Sequence, residues 1–89
     1  MRAVLTVIGT DRVGIIAGVS NILANSNINI LDISQTIMQG IFTMIMVIDA
    51  SNMSIGFHEL GEILDGKGQE LGVSIRIQRE EIFNSMHRI

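Results

Sequence analysis

The chain has 89 residues and a formal net charge of −3; 47% of its residues are hydrophobic and only 17% are charged. This length suits one domain with a modest core, and the high apolar content predicts that part of its surface meets another subunit. The six Lys and Arg form no basic run, and Tyr and Trp are absent, which argues against nucleic-acid binding. The absence of cysteine excludes disulfides and thiolate chemistry. The N-terminal apolar run is too short for a signal peptide or a membrane span, so we expect a cytoplasmic protein without a membrane partner.

The first half of the chain predicts a strand, a helix and a second strand. Residues 3–8, AVLTVI, form a β-branched run that is apolar on both faces, as in a central strand. A helical stripe begins near Val13, and the sequence ANSN at 24–27 ends it, because Asn tolerates the left-handed conformation. Residues 28–38, INILDISQTIM, alternate loosely and predict the second strand. The stripe consists of Ile15, Ile16, Val19, Ile22 and Leu23.

The second half predicts a hairpin, a helix and a last strand. Gln39 and Gly40 form a two-residue turn signal, and IFTMIMVI at 41–48 is again apolar on both faces. Ser54 is a plausible N-cap for a helix that several glycines weaken. Gly72 breaks the chain before VSIRIQ at 73–78, whose clean alternation is typical of a half-exposed strand. The chain then ends in a short amphipathic helix that carries Ile82, Phe83 and Met86.

The element order is β-α-β-β-α-β with a terminal helix, which predicts a single α+β domain over residues 1–89. Right-handed crossovers close this order into a ferredoxin-like sandwich, a four-stranded antiparallel sheet with two helices on one face. We place the core at 1–78 and the C-terminal helix at about 79–88. The first and third strands become central, in agreement with their apolar faces. Either the C-terminal helix or a second subunit covers the helix-free face of the sheet.

The loop GTDRVG at 9–14 has two interpretations. In the first, Asp11 caps the following helix by accepting hydrogen bonds from the backbone N–H of Val13 or Gly14. In the second, the same helix N-terminus binds a carboxylate or phosphate, and Gly14 allows a ligand to approach. Arg12 and Asp11 then supply the two charges that a zwitterionic amino acid needs. The loop lacks the Lys-Ser/Thr of a P-loop and the glycine spacing of a dinucleotide site.

The sequence contains little that indicates a metal site or a catalytic site. His58 and Glu62 share a helix face, but a pair of ligands indicates a solvated surface more than a metal site. No nucleophile stands beside a histidine or in a nucleophile elbow. Acylphosphatases share the element order, and Arg12 and Asn29 superficially match their needs, but the phosphate-cradling glycine pattern is missing. We therefore expect no enzymatic activity, no metal and no cofactor.

The segment TDRVGI after the first strand, followed by NINILDISQT, resembles the ACT domain family. These are small βαββαβ regulatory modules that bind amino acids and related small molecules. The resemblance covers Met1 to about Gln78. With its tail IFNSMHRI, the whole chain looks like a family of stand-alone bacterial ACT-domain proteins, which is similar in turn to the two-ACT glycine cleavage regulator type.

The resemblance implies a ligand site at a homodimer interface. Asp11 stands where ligand-binding relatives often carry Asn, Gly14 matches their loop glycine, and Asn29 matches the Asn that the neighbouring subunit contributes. Together with Arg12 and Ile15, these residues are the expected ligand-binding set. Side-by-side pairing of two second strands would form an eight-stranded sheet and put Asn29 near the partner's loop. The resemblance thus implies a non-enzymatic regulatory domain that binds an amino-acid-like ligand as a homodimer or higher homo-oligomer. The alternative is a ligand-free interaction module that regulates an enzyme or transcription factor.

Overall fold

A computed structural model describes residues 1–81 of the chain. Its elements are β1 (Arg2–Thr10), α1 (Ile15–Asn25), β2 (Asn29–Met38), β3 (Ile41–Asp49), α2 (Phe57–Leu71) and β4 (Val73–Arg79). The predicted element order and the α+β class are confirmed. The C-terminal helix predicted at about 79–88 lies beyond the described residues, apart from its first positions: Arg79 ends β4, and Glu80 and Glu81 have helical backbone.

The four strands form one antiparallel sheet in the order β2-β3-β1-β4. The long central ladder pairs β1 with β3 from Arg2–Asp49 at one end to Thr10–Ile41 at the other. The first and third strands are therefore central, as their apolar faces predicted. Gln39 and Gly40 join β2 to β3 with φ angles of 52° and 80°. Two successive positive φ values are those of a type I′ hairpin turn, whose twist matches the flanking strands.

Both helices pack on one face of the sheet and enclose the core. That core takes alternate side chains of β1 and β3 and the inward stripe of each helix. None of residues 29–38, the whole of β2, contributes a buried side chain. The core members are Ala3, Leu5, Val7, Ile15, Val19, Leu23, Ile28, Phe42, Met44, Met46, Ile48, Ala50, Leu60, Leu64 and Ile75.

The helix starts differ from those predicted. Glycine is the N-cap of both helices, Gly14 in α1 and Gly56 in α2, and neither start has a side-chain cap. Asp11 lies three residues before the N-cap, Gly14, and a capping side chain reaches only two or three residues ahead. Its carboxylate therefore does not reach the N–H groups of the helix, which begins at Ile15. The backbone N–H of Ser54 donates to the Ser26 carbonyl at 2.9 Å, which holds that residue in the preceding loop. The capping roles predicted for Asp11 and Ser54 are therefore wrong.

Two glycines allow elements to approach β4 closely. A Cβ on Gly9 of β1 would lie 2.5 Å from Cγ1 of Val73, and one on Gly68 of α2 would lie 2.7 Å from the Val73 carbonyl oxygen. Both distances are too short for real atoms, so only glycine fits. The predicted break at Gly72 is confirmed, because this residue ends α2 in the left-handed conformation, with φ of 73°.

Candidate functional site

The loop that precedes α1 lies against the hairpin turn between β2 and β3. The backbone N–H of Asp11 donates to the Gly40 carbonyl at 2.8 Å, so the loop continues the β1–β3 ladder beyond Thr10. The Asp11 side chain is exposed. Its carboxylate is therefore free of a capping role and open to a ligand at this end of the sheet.

Arg12 is held by the end of α2. Its Nη1 donates a hydrogen bond to the Leu71 carbonyl oxygen at 3.1 Å. Carbonyls in the last turn of a helix have no partner within the helix, and a positive charge there also complements the helix dipole. Arg12 therefore ties the loop to α2. Sequence reasoning missed this contact because the two residues are separated by 59 positions, with no motif that links them.

The N-terminus of α1 offers backbone rather than side-chain groups. Gly14 has φ of 97°, which a residue with a Cβ rarely adopts, and open space surrounds the position of its missing side chain. The N–H groups of the first turn lack a side-chain cap. The Ile15 side chain is 1% exposed and belongs to the core, so this residue can offer a ligand only its backbone. Val13, 97% exposed, is the apolar side chain of the loop, which sequence reasoning did not select.

Asn29 lies at the other end of the sheet. It begins β2 and pairs with Asp49, whereas the Asp11 loop follows the opposite end of the ladder. The separation is about 25 Å, the length of β1 at about 3.3 Å per residue. One protomer alone therefore does not bring Asn29 to the Asp11 loop.

A polar cleft of about 220 Å³ surrounds Asn29. On its rim, Asn27 Nδ2 donates to the Asn52 carbonyl at 2.8 Å. Asp49 Oδ1 accepts hydrogen bonds from the Ser51 hydroxyl at 2.6 Å and from the Ser51 N–H at 2.9 Å. These bonds stabilise the carboxylate and lower the pKa of Asp49. The cleft is lined by Ala24, Asn27, Ile28, Asn29, Asp49 and Asn52.

The β2 strand has one free edge, and all ten of its residues are exposed. Ile30, Ile33 and Ile37 lie on the same face as the helices, because their register partners in β3 belong to the core beneath those helices. A bulge between Ile30 and Asp32 interrupts the register near the start of the strand. A free edge with β-branched residues is a template for pairing with another strand.

Within residues 1–81, His58 does not belong to a metal site. His58 Nε2 lies 3.6 Å from Glu62 Oε1, and both side chains are largely exposed. Within residues 1–81, no three His, Asp or Glu side chains are grouped as metal ligands would be. His87 lies beyond these residues. Neither helix of this same part of the chain is long and apolar enough to cross a membrane.

The fold agrees with the comparisons to known proteins. A family model described as the ACT domain matches residues 2–78, and the chain belongs to this family. It is 64% identical over 89 residues to a UPF0237 protein of Listeria innocua, and the match spans the full length of both. The family and these relatives point to a regulatory rather than a catalytic domain.

Two solved structures are similar. An ACT domain protein from Streptococcus pneumoniae has a TM-score of 0.81 and 43% identity, and the match covers 93% of each chain. A putative glycine cleavage system transcriptional repressor has a TM-score of 0.76 and 26% identity over 86% of this chain and 44% of that chain. The same fold thus occurs as nearly a whole chain and as part of a longer one.

Proposed function

We propose that this chain is a regulatory domain that binds a small amino-acid-like ligand at the interface of a homodimer. Two copies pair through the free edges of their β2 strands, antiparallel about a two-fold axis. The ligand bridges the two subunits and stabilises one dimer geometry, which a regulated protein then reads.

The exposed edge of β2 is the observation that carries this proposal. In a two-fold antiparallel pair, the start of one β2 lies beside the end of the other. Asn29 of one protomer then lies beside the Gln39–Gly40 turn of its partner, and Gly40 already holds Asp11 by a backbone hydrogen bond. Pairing thus removes the separation of about 25 Å that divides the two residues within one chain.

The chemical groups that meet where Asn29 of one protomer lies beside the Asp11 loop of the other suit a zwitterionic ligand. The uncapped N–H groups of α1 lie at the positive end of the helix dipole and suit a ligand carboxylate. The exposed carboxylate of Asp11 and the side-chain oxygen of the partner's Asn29 suit its ammonium group. Arg12 contributes mainly by holding the loop against α2.

Sedimentation equilibrium of wild type and an edge variant tests the dimer. Residue 33 is near the middle of β2, so in the two-fold pair Ile33→Lys brings two lysines together and should weaken the dimer at least about tenfold. Ile63→Lys on α2 is the matched control, since Ile63 is exposed to a similar degree, 41% against 44%. A monomeric wild type, or equal effects of the two variants, contradicts pairing through β2.

A thermal-shift screen against the twenty amino acids tests the ligand. An external dye is needed because the chain has no Trp or Tyr. A ligand at about 100 times its Kd adds about 2.7 kcal/mol, which raises Tm by roughly 5–20 °C in a domain or dimer of this size. Asp11→Ala and Asn29→Ala should abolish the shift, whereas the control variants Asp65→Ala and Asn21→Ala should retain it. A shift that survives both site variants places the ligand elsewhere.

The hydrogen bond from Arg12 to the Leu71 carbonyl favours a second candidate function. Because this contact draws the one basic residue of the loop towards α2, a ligand-free module that docks onto an enzyme or transcription factor also fits the loop. A dimer that no amino acid stabilises, together with a stoichiometric partner captured without added metabolite, would favour this candidate.

A further inference from the structure

The face of the sheet without helices, here called the outer face, carries an apolar patch. Its residues alternate with the core residues along each strand, so Val4, Thr6 and Ile8 of β1 point away from the helices. Thr6 pairs with Ile45 on one side and with Arg76 on the other. The apolar residues of the outer face are Val4, Ile8, Met38, Ile41, Ile45 and Val47.

Burial on the outer face is uneven. Val4 is only 5% exposed, whereas Ile8 and Ile45 are 49% and 41% exposed. Val4 lies at the end of β1 that pairs with the last residues of β4, because Ala3 is opposite Arg79. The outer face is therefore best covered where the chain leaves the sheet.

The first residue after β4 has its side chain on the outer face. Arg79 still faces the helices, and its guanidinium lies 5.5 Å from the centre of the Phe57 ring. The next residue, Glu80, forms an ion pair through Oε2 with Nε of Arg2 at 2.9 Å. Arg2 alternates with Ala3 of the core and belongs to the outer face. This ion pair therefore holds the Glu80 side chain, at the end of the described chain, on the side of the sheet that has no helix.

The sequence of this segment fits that surface. Ile82, Phe83, Met86 and Ile89 lie at i, i+1, i+4 and i+7, which forms one stripe of an amphipathic helix. Ten helical residues from Glu80 span about 15 Å. The distance along β1 from Arg2 to Thr6, the register partner of Ile45, is about 13 Å. We propose that residues 82–89 form a helix on the outer face and cover Val4 and Ile45 with this stripe. A protein that docks on this face must first displace the segment.

Engineered disulfides test the placement directly, because the chain has no native cysteine. In the full-length chain, Ile45→Cys with Met86→Cys should form an intramolecular disulfide under mild oxidation in most chains. The readout is a reductant-sensitive increase in mobility on a non-reducing gel. Ile63→Cys with Met86→Cys is the control, since Ile63 is equally exposed but lies on α2. Absence of the Ile45 cross-link, equal cross-linking in the control, or a predominant intermolecular dimer would each overturn the proposal.

A thermal double-mutant cycle gives an independent readout without cysteines. Phe83→Ala should lower Tm by about 4 °C or more in the wild-type background. In an Ile45→Ala background its effect should shrink to less than half, because the contact surface has already been removed. Equal Tm shifts in the two backgrounds, or none in either, would overturn the contact. All four proteins are compared at one concentration, so that self-association contributes equally.

Discussion

Strands β2 and β3 are neighbours in one sheet, yet their burial is opposite. Both are rich in Ile and Met. In β3, Phe42, Met44, Met46 and Ile48 are at most 2% exposed. In β2, every residue is exposed, although Ile33 and Ile37 face the same side of the sheet as Met46 and Phe42. The difference arises because the helices pack over the middle of the sheet and leave its β2 side uncovered.

This contrast separates two uses of apolar sequence. The apolar residues of β3 stabilise the protomer, whereas those of β2 form a surface suited to a second copy. A small domain has too little helix to cover four strands, so part of its apolar sheet stays exposed unless another segment or a second chain covers it. Matched substitutions at buried and at exposed positions test this contrast.

The register pair Met46 and Ile33 provides the most direct comparison of the two strands. Met46→Ala should lower the free energy of unfolding by about 2–5 kcal/mol, because it leaves a cavity in a fully buried site. Ile33→Ala should cost the protomer less than about 1 kcal/mol. Urea unfolding at several protein concentrations separates protomer from dimer effects. Similar losses in both variants at low concentration would remove the distinction between the strands.

Two glycines of α2 repeat the comparison within one helix. Gly68→Ala should destabilise the protein by about 1–3 kcal/mol, because its Cβ would meet the Val73 carbonyl oxygen at 2.7 Å. Gly66→Ala meets open space and should stabilise the helix by about 0.5–1 kcal/mol. Thermal and urea unfolding give the sign of each change. If Gly68→Ala also stabilised, α2 would not need its close approach to β4.

A substitution at Arg12, in the loop before α1, is expected to change the free energy of unfolding less. Arg12→Ala should cost about 1 kcal/mol of unfolding free energy, because it removes the hydrogen bond to the Leu71 carbonyl. Arg76→Ala, an exposed arginine of β4, should stay within about 0.5 kcal/mol of wild type. Equal urea midpoints for the two variants would show that the Arg12 contact adds no stability.

The smallest expected effect is a loss of stability at acid pH. Hydrogen bonds from the side chain and then the backbone of Ser51 lower the pKa of Asp49 below its usual 3.8. The resulting stabilisation is fully present above pH 3.8 and is lost as the pH falls through the lower folded-state value. In an NMR titration, Ser51→Ala should move the Asp49 pKa back towards 3.8. An unchanged titration curve would mean that the hydroxyl is not responsible.

Much of the fold follows from local pattern. The spacing of apolar residues along the sequence predicted both helices and all four strands. Glycine indicated the hairpin turn at Gly40 and the end of α2 at Gly72. The same reasoning failed for Asp11 and Ser54, because N-cap preferences cannot fix which residue of a loop starts the helix. The loop residues of the candidate site were chosen from the sequence, and their role in binding a ligand stays a prediction. The burial of the Ile15 side chain and the contact of Arg12 with Leu71 were missed, since both depend on how α1 and α2 pack.

The element order, the two central strands and the position of the loop before α1 follow from local sequence, because each depends on patterns within a few residues. The packing of distant elements decided which apolar residues are covered and which remain exposed. It also decided that Gly9 and Gly68 make room for Val73 and that Asn29 and Asp11 lie at opposite ends of one protomer. These features depend on how closely elements that are distant in the chain pack together. The repeat of apolar residues along the sequence does not encode those distances.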